Sequence, residues 1–408
     1  MDICPKDKCT GCYACVNACN RGCISMQEDE LGCMHPVVDE TNCVNCGLCK
    51  SSCPNNVVLR FAYPSKCYAS WIDDKEKRKI CASGGIGTCM SEYVIKHGGV
   101  VFGSKYDAEM TPIMTYTEKI EELENFKGSR YVQSLVGNDT YKKVRTFLRN
   151  GRLVLFVGTP CQVAGLKTFL RKDYDNLITV DLICHGVCPT KYLKEEVAYL
   201  TEKYKLKDIA DIRFRGNDGN NFRLTLWNKD RRKLFPRDNY REKIFRLDLA
   251  QQYYIKGFLL GVSMRENCYS CNYSKPERVS DITIGDFIGL GKTIPFDFPT
   301  HNVSSVTTNT QKGFVFYEKM AVETEALTNI ERDYQERLQY KPSLMHPFER
   351  HPLNAEFVRL CKLRGYLYAI HTVLHDTLIK EQIKTYLNYW TYFYRIPRKL
   401  IKIILRRR

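Results

Sequence analysis

Residues 152–172, RLVLFVGTPCQVAGLKTFLRK, contain the pattern that predicts the fold of most of the chain. RLVLFVG is a continuous apolar run typical of a buried strand, TPC is a turn, and QVAGLKTFLRK has the composition of a helix. The next stretch repeats this order, with the strand LITVDLIC ending at CHGVCP and the helical KYLKEEVAYLTEKYK following it. Strands that alternate with helices predict an α/β (mixed α+β) body with a largely parallel or mixed sheet.

Four segments are predicted along the 408 residues. Residues 1–62 hold two runs of cysteines among turn residues and form a small domain. Residues 63–150 and 151–335 make up the body, with further strands in FRLTLW, DITIGDF and VSSVTTNT. Residues 336–408 are a helical, basic tail. In α/β sheets ligands bind beyond the carboxyl ends of strands, and the TPC, CHG and GDF turns fall there.

The composition points to a soluble metal-binding protein. Twenty cysteines are spread over the whole chain, and the first residues, MDICPKDK, lack the apolar core of a signal peptide, so a cytoplasmic location is expected. No run of 18 apolar residues predicts a membrane span. The net charge of +16 suits a nucleic-acid binder with structural metals, but bound iron–sulfur clusters would offset part of it, and no nucleic-acid partner is expected.

Much of the positive charge lies in the tail. Residues 385–408, TYLNYWTYFYRIPRKLIKIILRRR, join an aromatic cluster to seven Lys or Arg residues without an acid. Such a segment suits a peripheral contact with the inner face of an anionic membrane. The alternative is a helix whose rings pack on the body.

Two cysteine runs near the start share one spacing: CTGCYACVNAC at 9–19 and CVNCGLCKSSCP at 43–54. Three cysteines at gaps of two residues suit one 4Fe–4S cluster, and in two-cluster ferredoxins the distal cysteine of each run binds the other cluster. This predicts one cluster on Cys9, Cys12, Cys15 and Cys53, and a second on Cys43, Cys46, Cys49 and Cys19. Two zinc sites are the alternative, although zinc prefers paired C-x₂-C hooks. A bacterial-ferredoxin-like domain that passes single electrons is therefore predicted.

Four further cysteines have distinctive surroundings: Cys161 in GTPCQVAG, Cys184 in ICHGVCP, and Cys268 with Cys271 in MRENCYSCNYS. With ASGGI (82–86), KGSRYVQS (127–134) and RVSDITIGDF (278–287), these motifs resemble the beta subunits of coenzyme F420 hydrogenases and dehydrogenases, which are iron–sulfur flavoproteins. The motifs stand in the same order over residues 65–310, and the ferredoxin domain in front is similar to fused members of that family.

The resemblance implies bound FAD and a third 4Fe–4S cluster on Cys161, Cys184, Cys268 and Cys271. Cys188 competes with Cys184 as a ligand, and Cys184 is preferred because His185 and Gly186 of the family motif follow it. Carried over motif by motif, the FAD contacts are Ser83, Gly84, Gly85, Lys127, Gly128, Ser129 and Tyr131. A serine followed by glycines at a helix start also suits a pyrophosphate on general grounds.

Two residues are candidates for chemistry at the flavin. His185 either donates a proton or hydrogen-bonds a cluster sulfur, and Asp286 either positions a hydrogen bond or forms a turn. Ile288 stands where the family often has tryptophan, so the resemblance does not define the shape of the substrate pocket. The remaining cysteines are expected to be structural: Cys4, Cys23, Cys33, Cys67, Cys81, Cys89 and Cys361.

The predicted function is that of an FAD-dependent iron–sulfur oxidoreductase. It would pass electrons between a small hydride-exchanging substrate, F420 or a biosynthetic metabolite, and the ferredoxin-type clusters. Ferredoxin or another redox protein would be the partner. The alternative is a non-catalytic electron-transfer subunit of a larger hydrogenase or dehydrogenase.

Overall fold

A computed structural model describes residues 1–216, 222–236, 253–340 and 342–394. Within them the strands are β1 (Ile24–Glu28), β2 (Met34–Val38), β3 (Lys66–Ile72), β4 (Val100–Tyr106), β5 (Pro112–Thr117), β6 (Val154–Gly158), β7 (Leu177–Leu182), β8 (Asp211–Arg213), β9 (Thr225–Trp227), β10 (Lys233–Phe235), β11 (Ile282–Asp286), β12 (Ser304–Thr308) and β13 (Leu327–Arg332).

The α-helices in the same residues are α1 (Ala14–Ala18), α2 (Leu48–Ser51), α3 (Lys75–Lys79), α4 (Ile86–Lys96), α5 (Thr140–Arg149), α6 (Pro160–Leu170), α7 (Thr190–Tyr204), α8 (Tyr253–Leu259), α9 (Gln311–Glu323), α10 (Tyr334–Leu338), α11 (Asn354–Arg364) and α12 (Tyr366–Tyr394). Short 3-10 helices cover Lys6–Lys8, Glu121–Phe126, Glu266–Ser270 and Pro342–Leu344.

The body is built on one eight-stranded mixed sheet with the order β13-β3-β12-β11-β7-β6-β4-β5. Its centre is parallel: β4 pairs with β6, β6 with β7, and β7 with β11. Helices lie on the sheet faces, so both faces of the central strands are buried and the strands are almost wholly apolar. This confirms the α/β prediction, and residues 63–150 and 151–335 contribute strands to the same sheet.

The N-terminal domain is small: each cysteine run contains one short helix, and the hairpin of β1 and β2 lies between the two runs. One apolar cluster joins this domain to the body, with Tyr13 and Val16 packed among side chains such as Phe156 and Leu166. Asn17 is fully buried at this boundary. Its Nδ2 donates to the carbonyl of Gly137 at 2.9 Å, so the domain is fixed to the body by polar contacts as well.

Helices cover the far side of the body near the C-terminus, as predicted. α12 packs against α11, α8 and α7, and its buried positions include Ala369, Ile370, Leu374 and Leu378. None of the described helices is both long and apolar enough to cross a lipid bilayer. The basic end at 395–408 and the side chains of most of the aromatic cluster lie outside the described residues, so the membrane prediction for the tail stays a prediction.

The segment FAYPSKCYA has the turn residues of a linker, but it ends inside β3, an inner strand that pairs with β12 and β13. Tertiary pairing overrides the turn character of its first residues. The acidic segment EKIEELENF ends in a 3-10 helix at Glu121–Phe126.

Candidate functional site

A cavity of about 310 Å³ opens at the carboxyl edge of the parallel strands. Its floor is formed by strand ends, including Ser104 of β4, Gly158 of β6, Leu182 of β7 and Asp286 of β11. This is the edge at which α/β sheets bind ligands, and the volume lies in the range of small-molecule sites. The TPC and GDF turns therefore meet where the sequence predicted.

One wall of the cavity is the turn before α4. Ser83 and Gly85 line it, and both have left-handed backbone conformations, with φ of 55° and 85°. A non-glycine residue with positive φ is uncommon, and such strain concentrates at binding sites. Gly84 lies behind this wall: its N–H donates to Ser304 Oγ at 2.9 Å, and a Cβ there would lie 2.2 Å from the carbonyl oxygen of Ser70. The structure thus needs glycine in the SGG motif.

The opposite wall is the segment KGSRY. The cavity is lined by all four residues of this segment that were predicted to contact FAD: Lys127, Gly128, Ser129 and Tyr131. Lys127 Nζ lies 2.8 Å from Glu124, so its ammonium group is already paired.

Tyr131 is held rigidly in this wall. Its ring stacks on Phe258 at a centroid distance of 4.8 Å and an angle of 7°, and burial raises its pKa to about 12. It therefore stays a neutral phenol.

Asp286 lies at the cavity edge in a bidentate ion pair. Its two oxygens accept from Arg215 Nη1 and Nη2 at 2.7 and 2.8 Å. Burial opposes the charge on Arg215, but this pair raises the pKa of the guanidinium. The pair gives the cavity one fixed dipole beside Tyr131, whose hydroxyl lies 3.4 Å from Arg215 Nη1.

His185 does not line the cavity. Its ring lies between Phe258 and Phe348, at centroid distances of 5.0 and 4.4 Å, and Nε2 is 3.2 Å from the carbonyl oxygen of Phe258. It is one residue from Cys184, so of the two proposed roles the geometry suits contact with the cluster better than proton donation in the cavity.

Cluster site 1 comprises Cys9, Cys12, Cys15 and Cys53, and all four line one pocket between the N-terminal domain and the body. Cys4, expected to be structural, lines the same pocket. A hydrogen bond from Cys4 lowers the pKa of the Cys9 thiol, which favours the thiolate form that binds metal.

Cluster site 2 comprises Cys19, Cys43, Cys46 and Cys49. Burial and then the charges of Cys43 and Cys19 raise the pKa of Cys49, which places these three thiols together. Cys46 is exposed on the loop between Cys43 and Cys49. Site 2 is therefore the one nearest to solvent, and Val44 beside it is 60% exposed.

Cluster site 3 comprises Cys161, Cys184, Cys268 and Cys271, brought together from three distant parts of the chain. Burial raises the pKa of Cys184 to about 12, and the charges of Cys161 and Cys271 add to it. Burial also raises the pKa of Cys268, with Cys184, Cys271 and Cys161 as its charged neighbours. The four thiols are thus mutual neighbours.

Cys188 lies elsewhere. It is fully buried, with Sγ 3.3 Å from Ser263 Oγ, and its charged neighbour is Cys33. The geometry accordingly groups Cys184, not Cys188, with the other three thiols.

Sites 1 and 3 are adjacent. Cys12 packs on Gly165 of α6, where an added Cβ would lie 3.0 Å from Cys12 Sγ, and Cys161 stands in the first turn of the same helix. Tyr273 is buried between the two sites, with both Cys12 and Cys161 among its charged neighbours. On the other side, Cys161 Sγ lies 3.2 Å from Oγ1 of Thr159, which lines the cavity. The order is therefore site 1, site 3, cavity.

In the described part of the chain, no three His, Cys, Asp or Glu side chains are placed so that they share one metal ion. The thiols of site 1 line one pocket, and four cysteine thiolates are the donor set of a 4Fe–4S cluster.

Comparison with known proteins finds matches for two regions of the chain. Residues 151–332 match the family that describes the carboxyl-terminal region of the coenzyme F420 hydrogenase/dehydrogenase beta subunit. This region belongs to that family. Residues 8–57 match a 4Fe-4S dicluster domain, so the predicted ferredoxin-type domain and the resemblance are both confirmed.

The present chain is similar to a chain in a solved structure of the F420-reducing [NiFe] hydrogenase complex from Methanosarcina barkeri, derivatised with xenon. The two chains are 17% identical. The match covers 78% of this chain and 94% of that one, with a TM-score of 0.44. No match to a curated protein was found.

The sequence analysis missed two residues of the site: Cys4 and Arg215. Cys4 precedes the first cysteine run at a spacing outside the motif, and Arg215 is brought to Asp286 only by folding.

Proposed function

We propose that the chain is an FAD-dependent iron–sulfur oxidoreductase with three 4Fe–4S clusters. The observation that carries the proposal is spatial order: the cavity, cluster site 3 and cluster site 1 follow one another, joined by Thr159–Cys161 and by Cys12 on α6. Helix α1, which carries Cys15 of site 1, contacts α2, which carries Cys49 of site 2, so site 2 with its exposed Cys46 would extend this route to the surface.

FAD bound in the cavity would supply hydride exchange with a substrate and single-electron exchange with the clusters. The protein's part is to bind and orient. The start of α4, an eleven-residue helix, lies at the cavity beside Gly85, Gly87 and Thr88, and the helix dipole favours a phosphate there. Tyr131 and the Arg215–Asp286 pair give the cavity a fixed shape and dipole. The substrate class would be a hydride donor or acceptor such as F420 or a biosynthetic metabolite.

Composition analysis of the anaerobically prepared protein tests the proposal. About 12 iron, 12 sulfide and one flavin per chain are expected, since each 4Fe–4S cluster contributes four of each ion. A colourless protein that contains zinc and releases no flavin on denaturation would overturn it.

A pair of variants tests the flavin position. Thr88 lines the cavity, so Thr88→Trp should fill it and release flavin while iron is retained. Thr146 is exposed on α5, and Thr146→Trp should retain both. Flavin retained by Thr88→Trp would show that the cavity is not the flavin site.

A second candidate is an electron-transfer subunit without a substrate of its own. The exposed Cys46 favours it, because a cluster close to the surface is accessible to a redox protein such as ferredoxin. Anaerobic purification separates the two. Turnover of a small molecule by the isolated chain supports the enzyme, whereas a persistent complex with larger subunits and no turnover supports the electron-transfer role.

A further inference from the structure

Arg265 is buried at the boundary between the N-terminal domain and the body, and it is 1% exposed. All its donor groups end on neutral oxygens. Nε donates to Asn267 Oδ1 at 3.1 Å and Nη1 to Gln133 Oε1 at 2.7 Å. Nη2 donates to the carbonyls of Cys9 at 3.0 Å and Met34 at 3.3 Å.

Two other buried arginines in the described residues are neutralised by carboxylates: Arg278 pairs with Asp181 at 3.1 Å, and Arg215 pairs with Asp286 at 2.7 Å. No such ion pair is found for Arg265 within the part of the chain that the structure describes. Arg337 is equally buried without a carboxylate partner among the described residues, and there burial lowers the pKa of the guanidinium to about 10. Burial of an unpaired charge is unfavourable, so a negative group beside Arg265 would stabilise its charge.

The negative groups available are the cluster sites. Arg265 is a charged neighbour of Cys9 in site 1 and of Cys161 in site 3. A 4Fe–4S cluster with four thiolates has a net charge of roughly −2. His35, the other cation beside Cys9, is paired with Asp29 at 3.2 Å and adds no net charge.

We propose that Arg265 is the shared counter-ion of cluster sites 1 and 3, and that its charge raises the reduction potentials of both clusters. The inference rests on the proposed function, because it needs both clusters to assemble. Net charge and hydrogen bonding near the sulfurs are known determinants of cluster potential. Arg265 is a positioning and tuning residue, since its contacts are with backbone and amide groups around the clusters.

Redox titration of the full-length protein, followed by EPR, tests the inference. Arg265→Gln should weaken the electron affinity of two of the three clusters by about tenfold, equivalent to about 59 mV for a one-electron couple. Arg265→Lys retains the charge and should shift them much less. Arg359 is exposed and pairs with Glu356 on its own helix, so Arg359→Gln should change nothing. Unchanged potentials in Arg265→Gln, or an equal fall in Arg265→Lys, would overturn the proposal.

A second variant that neutralises the charge of Arg265 is needed in case Arg265→Gln does not retain its iron. Gln133→Glu keeps Arg265 and places a carboxylate 2.7 Å from its Nη1. It should lower the same two potentials, and unchanged potentials would overturn the proposal. Iron lost from both neutralised variants but kept in Arg265→Lys supports a requirement for charge, whereas iron lost from all three refutes it. Absence of iron from the wild type would refute the proposed function itself.

Discussion

Cys184 and Cys188 are four residues apart, and burial raises the pKa of both thiols to about 12. Their neighbours differ. Cys184 lies among three other thiols, whereas Cys188 lies against the hydroxyl of Ser263. A thiol with such a raised pKa is protonated at neutral pH and must lose its proton to bind iron. Metal binding itself drives this loss of the proton.

This difference predicts opposite outcomes for two matched variants. Cys184→Ala should lose about four of the 12 irons, because site 3 loses a ligand, and Cys188→Ala should retain all of them. Iron and sulfide analysis after anaerobic purification measures this. The reverse result would assign the third cluster to Cys188.

At the scale of elements, α6 is the helix on which the route depends. It begins after β6 at Pro160, and the Thr159 N–H is held by Gln162 Oε1 at 3.0 Å, which fixes Cys161 in the first turn. One turn further on, Gly165 allows Cys12 to approach the helix. Glycine within a helix lowers its stability, so close packing explains its presence here.

Gly165→Ala should push the N-terminal domain away from α6. We expect a loss of about 1–3 kcal/mol in stability, as in overpacked cores, together with reduced iron at site 1. Melting curves and iron analysis measure the two effects. The control is Gly87→Ala on α4, where the added Cβ meets one atom at an ordinary 3.4 Å. Equal stability of the two variants would contradict the packing argument.

Helix α7 carries a buried carboxyl group, Glu196. Burial raises its pKa from 4.5 to about 8, although a hydrogen bond from Tyr366 opposes this shift. Between these pH values the unfolded chain loses the proton while the folded chain keeps it. Its contribution to stability therefore falls as pH rises from about 4.5 to about 8 and is level above that.

Glu196→Gln removes this titration. The variant should gain stability over the wild type as pH rises, by on the order of a few kcal/mol at pH 8. Melting temperatures at several pH values measure the difference, with Glu202→Gln at an exposed position of α7 as the control. A difference that does not change with pH would contradict the buried-carboxyl argument.

On the scale of the whole molecule, the N-terminal domain and the body share one apolar core. Buried polar contacts reinforce it: Asn17 bonds both Gly137 and Tyr141, and Arg265 bonds Cys9. This coupling keeps sites 1 and 3 adjacent, which is what the proposed electron transfer between them requires.

Deletion of residues 1–62 should therefore destabilise the body as well. Removal of the N-terminal domain exposes apolar side chains on α5 and α6, so we expect aggregation or a lowered melting temperature. A full-length chain with Cys43→Ser and Cys46→Ser is the control, since it loses iron at site 2 but keeps the packing. A deleted chain as soluble and stable as this control would show that the body folds independently.

The cysteine runs and the strand–turn–helix order could be predicted from sequence because both are local. Three thiols two residues apart must lie around one turn, and an apolar run of five to seven residues before a turn forms a strand wherever it is buried. The same local logic missed β3, because the residues that pair with it lie more than 230 positions away.

Only the tertiary structure decided the position of the cavity, which thiols surround Cys184, and the burial of Arg265. Arg265 and Cys9 are 256 residues apart, and nothing in either segment indicates the other. Long-range contacts depend on which surfaces exclude water together, and that is a property of the whole chain. Local spacing thus determined the chemistry of the two N-terminal cysteine runs, while packing of the N-terminal domain on α6 placed Cys12 beside the helix that carries Cys161.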